Sequence, residues 1–119
     1  MSLLNKIANA QGITIGEPVS DYQVYTPYQV YAISCSCCDM KYVGSTTKGI
    51  HERMLAHKSK ARTGLTMELY VHMRLVGLDE FKVAELYAGT GTNDQRRAKE
   101  HKYIVQLDTV KNGLNERLK

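Results

Sequence analysis

The chain has 119 residues, 43% of them hydrophobic and 24% charged, with a net charge of +4. That length suits one domain with one modest core, and the balance of apolar to charged residues excludes a disordered or fibrous chain. No apolar run approaches the roughly 20 residues of a membrane span, and the N-terminus lacks the apolar core of a signal peptide, so a soluble protein with no membrane partner is expected.

Residues 2–10 predict a short helix ending at Gly12, and residues 13–28, with Gly16, Pro18 and Pro27, read as extended linker or edge structure. Residues 1–27 are therefore read as an N-terminal extension and 28–119 as the domain. Residues 28–34 and 40–44 are rich in Tyr, Val and Ile and flank a polar loop, which signals a hairpin. From Thr47 to Arg62, Ile50, Met54 and Ala61 follow helical spacing. A second helix is predicted from Thr66 to Val76, with Leu69, Met73 and Val76 on one face and Gly77 as its C-cap. Residues 81–87 predict a third strand, and Gly89-Thr90-Gly91 a turn into a last helix whose Thr92 and Gln95 have capping-box spacing. That helix ends near Leu107, and Asn112-Gly113 marks a closing turn. The order β-β-α-α-β-α predicts an α/β fold, a small three-stranded antiparallel sheet flanked by helices.

Charge is concentrated in the middle of the chain. Residues 41–62 carry Lys41, Lys48, Arg53, Lys58, Lys60 and Arg62 against the single acid Glu52, a net of +5. A local positive field of this kind favours a polyanion, nucleic acid first, although a basic helix is also an ordinary solvated face. Two charged residues fall on stripes expected to be apolar. Ile50, Arg53, Met54 and His57 share one stripe, and Glu100 shares another with Ile104 and Leu107. A carboxylate carried toward a core must be paired, protonated or bound to a metal. A structural Arg53–Glu100 salt bridge, or a helix turned to expose both, accounts for the same pattern.

From Gln29 to Glu116 the chain resembles a GIY-YIG nuclease domain. Gln29-Val30-Tyr31 matches the first motif and Tyr42-Val43-Gly44 the second. Arg53, with His57 four residues on, matches the helix carrying the family's catalytic arginine. Glu100 matches the metal-binding glutamate and Asn115 the late asparagine, with Asn112 competing for that position. The resemblance implies an endonuclease that hydrolyses DNA phosphodiesters; a catalytically inactive nucleic-acid-binding module on the same fold is the alternative. Tyr31 would act as or help the general base, with Tyr42 beside it at the nucleophilic water. A phenol is a poor base at neutral pH unless nearby positive charge favours the phenolate, and Lys41 would supply that charge. Arg53 would fork onto the scissile phosphate. Glu100 would hold one divalent cation, Mg²⁺ with Mn²⁺ as a substitute. His57 would hydrogen-bond the phosphate, the water or a tyrosine hydroxyl. Asn115 and Gly44 would support the site, while Ser45, Thr46, Lys48, Lys58 and Lys60 would contact nucleic acid.

Gln29 stands where the family usually has glycine, which would alter the mouth of the site if close backbone approach matters there. The chain ends four residues after Asn115, so target choice is expected to come from DNA structure, self-association, a protein partner or the N-terminal extension. Cys35, Cys37 and Cys38 are an odd number packed into four positions. They do not form a disulfide framework and predict a reducing compartment, cytoplasm or nucleus. Zinc is not expected: its sites usually use two separated ligand pairs, and a histidine joining so tight a cluster at a hairpin tip is awkward. Exposed, oxidation-prone thiols or partial burial at the turn are expected instead.

Overall fold

The computed structural model of the protein describes residues 24–116. The helix expected over 2–10 and most of the segment expected over 13–28 lie outside the described residues. Within them run β1 (Thr26–Cys35), β2 (Lys41–Thr46), α1 (Ile50–Arg62), α2 (Glu68–Val76), a short 3₁₀ turn (Leu78–Glu80), β3 (Phe81–Gly91) and α3 (Asn93–Leu107). The sheet order is β2-β1-β3 and both pairings are antiparallel. This is the element order and sheet expected from the sequence.

Two of the boundaries that differ from expectation share one reason. Gly89-Thr90-Gly91 is the end of β3 rather than a turn, and Thr26, Pro27 and Tyr28 begin β1 rather than a linker. The two segments pair with each other, Pro27 opposite Thr90. Proline is tolerated here because β2 first pairs at Gln29. At Pro27, β1 therefore has a neighbour on one side only, and the missing N–H breaks no ladder.

Alternation along β1 divides the core between the two faces of the sheet. Tyr31, Ile33 and Cys35, with Tyr42, pack under Met54 and Ala61 of α1 and Leu69, Tyr70 and Met73 of α2. Tyr28 and Val30, with Val43, pack under Ile104 of α3. Each large apolar side chain buried this completely contributes about 1.5–3 kcal/mol. The predicted caps are formed: Thr92 Oγ1 accepts from Gln95 N at 3.1 Å while Gln95 Oε1 accepts from Thr92 N at 2.8 Å, and Gly77, at φ 117°, ends α2.

The open edge of β2 is covered by the chain after α3. Leu114 N donates to Lys41 O at 2.8 Å. The Asn115 amide closes on Val43 with both its groups, Oδ1 accepting from Val43 N at 2.8 Å and Nδ2 donating to Val43 O at 3.0 Å. A side chain thus stands in for a fourth strand. Gly113 makes the approach possible, since a β-carbon there would fall 2.6 Å from Lys41 O.

Candidate active site

At the β2 edge, between α1 on one face and α3 on the other, lies a pocket of about 230 Å³ lined by Tyr31, Tyr42, Gly44, Ser45, Arg53, Arg96, Arg97 and Glu100. The four residues singled out for chemistry, Tyr31, Tyr42, Arg53 and Glu100, therefore meet in one place. Tyr31 reaches it from the central strand by lying across Gly44, its Cα partner on β2. A β-carbon at Gly44 would fall 2.6 Å from Tyr31 Cζ, so only glycine leaves room for the ring.

Behind the pocket the phenols are tied to a buried imidazole. His57 has no exposed surface. Its Nε2 is 2.8 Å from Tyr31 Oη and its Nδ1 is 2.9 Å from Tyr70 Oη. The Tyr42 ring meets the imidazole edge-on at 5.4 Å. A neutral imidazole donates from one nitrogen and accepts at the other, so one of the two phenols donates to it and the other accepts. Both ring nitrogens are engaged by tyrosines, which removes the phosphate and the water from the roles expected of His57 and leaves the tyrosine hydroxyl. Burial pushes the Tyr31 phenol well above its ordinary value. The nearby Tyr42 and Glu100 push the same way, and the Arg53 guanidinium, within hydrogen-bonding reach, offsets part of the rise. Tyr70 is raised as well, mainly by burial.

Glu100 is 4% exposed. Its Oε1 accepts from Ser45 Oγ at 2.5 Å and lies 3.8 Å from Arg96 Nη1, which in turn donates to Ser45 Oγ at 2.6 Å. Arg96, four residues back on the same helix, thus supplies an ion pair to Glu100, and Ser45 sits at the carboxylate. One carboxylate with one hydroxyl beside it is a sparse set of hard oxygen donors, which suits a Mg²⁺-like cation keeping several of its waters.

The pocket shares Ser45, Arg53 and Arg96 with an adjoining groove of about 420 Å³ that adds Thr46, Thr47, Lys48, Glu52, Ala56 and Asn93. Lys48 projects there beside the N-terminus of α3, whose dipole also favours anions. Lys58 and Lys60 sit further along α1 and line neither cavity. Lys41 is exposed and lies outside the pocket. Its Cα partner is Ser34 whereas that of Tyr31 is Gly44, and strand alternation turns it to the face opposite Tyr42. The cation beside Tyr31 is Arg53.

Gln29 lines neither cavity. Its Oε1 accepts from Ile50 N at 3.1 Å and its Nε2 donates to Glu85 Oε1 at 2.7 Å. It ties the start of α1, which has no side-chain cap of its own, to β3.

Sequence reasoning missed Tyr70, Arg96 and Arg97. Arg96 had a signal, the i,i+4 spacing to Glu100; Tyr70 had none. The objection to a metal at the cysteines also changes. Cys35 is buried, Cys38 half-buried and Cys37 exposed, and α2 brings His72 to them: donor atoms of Cys35, Cys38 and His72 lie within 4.8 Å of one another.

A cationic cleft of this kind, with phenols and a carboxylate at the edge of a small antiparallel sheet, places the chain among α/β nuclease catalytic domains. Residues 27–115 match the GIY-YIG catalytic domain, and the chain belongs to that family. It is 35% identical over 91 residues to the uncharacterized protein 019R of Invertebrate iridescent virus 6, a match covering 73% of this chain and 32% of that protein. The chain thus spans about a third of the length of that relative. Its fold is similar to the catalytic domain of intron endonuclease I-TevI solved as a point mutant, with a TM-score of 0.71, 21% identity, and coverage of 79% of this chain and 97% of that one. A second structure of the catalytic domain of homing endonuclease I-TevI gives 0.68, 22%, 76% and 98%.

Proposed function

We propose that the chain is a DNA endonuclease that hydrolyses phosphodiester bonds in the Tyr31–Tyr42–Arg53–Glu100 pocket. The observation that carries this reading is the convergence of those four side chains on one cavity that opens into a cationic groove. The groove, with Lys48, Arg53 and the backbone N-terminus of α3, is on the scale of a DNA backbone segment, whose phosphates it would position.

Tyr31 works as a neutral phenol in this mechanism, because burial raises its pKa and Arg53 only partly offsets the rise. With its own proton donated to His57 Nε2, its oxygen is free to accept a hydrogen bond from the attacking water. As that water bonds to phosphorus and the bond from phosphorus to the leaving sugar oxygen breaks, the water's proton passes to Tyr31 Oη and the phenol's proton to Nε2, while Nδ1 keeps its own proton, donated to Tyr70 Oη. Each transfer spans a hydrogen bond within normal length. Arg53 forks onto the non-bridging oxygens as their charge grows. Tyr42 holds the water from its other side. Ser45 and Arg96 orient the Glu100 carboxylate, which would hold the divalent ion; when bound, that ion would supply Lewis-acid stabilisation of the phosphate and leaving oxygen.

The test is to incubate the full chain with duplex, nicked and branched DNA in Mg²⁺, Mn²⁺ or EDTA. Metal-dependent cleavage is expected, lost in Glu100→Gln and reduced by about 10²–10³ in Arg53→Ala. Tight DNA binding with no cleavage of any substrate refutes the enzyme and leaves an inactive binding module. We also propose a reducing setting, cytoplasm or nucleus, because three cysteines packed into four positions make no disulfide framework; finding the natural protein secreted with oxidised thiols would count against it.

A further inference from the structure

We propose that Cys35, Cys38 and His72, joined by Cys37, form a structural zinc site at the tip of the β1–β2 hairpin, separate from the catalytic pocket. The donors come from three places in the chain. Cys35 ends β1, Cys37 and Cys38 belong to the turn, and His72 lies on α2. Cys38 Sγ is 3.3 Å from His72 Nε2, and Cys37 Sγ is 3.1 Å from Cys35 Sγ. In a tetrahedral zinc site with Zn–S about 2.3 Å and Zn–N about 2.05 Å, neighbouring donors stand about 3.6–3.8 Å apart. The donors of Cys35, Cys38 and His72 already lie within 4.8 Å of one another, and the exposed Cys37 thiol, in contact with Cys35 but outside that group, swings inward to complete the tetrahedron. Three thiolates and an imidazole are a soft set, selective for zinc over the hard cation suited to Glu100.

The surrounding packing holds the cluster in place without the metal. Ser36 N donates to Glu80 O at 3.0 Å, pinning the turn to the 3₁₀ segment. The His72 ring stands perpendicular to Phe81 at 5.5 Å, and Phe81 is the Cα partner of Cys35. None of the four donors lines the catalytic pocket, and Cys35 is four residues along β1 from Tyr31, about 13 Å. With four protein ligands the site is closed, which is the structural rather than the catalytic arrangement. It clips the hairpin that carries Tyr31 and Tyr42 to α2, the helix that carries Tyr70.

The experiment is metal analysis of the full, reduced chain purified without chelators, followed by Co²⁺ replacement and absorption spectroscopy. One zinc per chain is expected, and the cobalt form should show thiolate-to-metal charge transfer with tetrahedral d–d bands. Cys38→Ser and His72→Asn should each lose the bound zinc, while Glu100→Gln keeps it, so failure here is distinct from failure of the nuclease reading. Cys35→Ser is avoided because it puts a hydroxyl into the core. If Cys38→Ser does not fold, His72→Asn, on a half-buried helix position, gives the answer alone. Zinc retained by His72→Asn, an octahedral cobalt spectrum, or a reduced parent that is metal-free and takes up no zinc would each overturn the proposal.

Discussion

Replacing Gly44 with alanine puts a methyl group where the Tyr31 ring lies. The new β-carbon would fall 2.6 Å from Cζ and 3.1 Å from Cε1, and Tyr31 is 1% exposed in a packed core, so the ring has nowhere near to go. Overpacking of this kind costs about 1–3 kcal/mol. Shifting the ring also breaks the 2.8 Å hydrogen bond to His57, adding about 1 kcal/mol, for a total of about 2–4 kcal/mol. Urea denaturation of the parent and Gly44→Ala, with equal m-values, measures it. Tyr31→Phe removes the hydroxyl that the methyl crowds most, so the double-mutant cycle should show the two changes coupled by about 1 kcal/mol. Cleavage activity should fall in Gly44→Ala more than stability alone explains, since the ring that meets the water has moved. A stability change below about 0.5 kcal/mol, or strict additivity with Tyr31→Phe, would refute the claim that the phenol is seated on Gly44.

Asn115→Ala removes the side chain that satisfies both backbone groups of Val43, and should cost about 2–4 kcal/mol, with the Val43 amide losing its protection from hydrogen exchange; unchanged exchange would contradict the strand-mimic role. Gln29→Gly, which installs the usual motif residue, should lose the tie to Ile50 N and destabilise by about 1–2 kcal/mol without raising kcat; a faster enzyme would mean that Gln29 obstructs the site. The Tyr31 phenol is raised above its ordinary value of 10.0 by burial. From about pH 10 upward, then, the unfolded chain releases this proton before the folded one does, and stability declines as pH rises toward the folded pKa. Below pH 10 this contribution is intact. Comparing unfolding free energies at pH 9 and 11, the decline should be shallower in Tyr31→Phe; identical slopes would show that the phenol is not held protonated.

Much of the fold was readable locally. Helical periodicity, the Thr92–Gln95 capping box and the Gly77 cap depend on residues within a turn or two of one another, so their elements lay close to the predicted positions. The strand limits were misjudged at Pro27 and at Gly89–Gly91, because those residues are strand only through pairing with each other across most of the domain. The motif tyrosines, Arg53 and Glu100 stood out as residue types at given spacings on given elements. The sequence also showed the basic segment that includes Lys48.

Tertiary structure decided what each of these residues touches. Strand alternation turned Lys41 away from Tyr42 and left Arg53 as the cation at Tyr31. The packing of α1 against α2 placed His57 between two phenols 26 and 13 residues away, engaging both its nitrogens. Asn115 became a strand partner only because Gly113 lets the chain lie against β2, and His72 met the cysteines only because α2 crosses the hairpin tip. The physical reason is the same in each case. Residue type and spacing set what a side chain can donate, accept or bury, but hydrogen bonds, desolvation and ligand geometry act over a few ångströms, between partners that only the folded chain brings together.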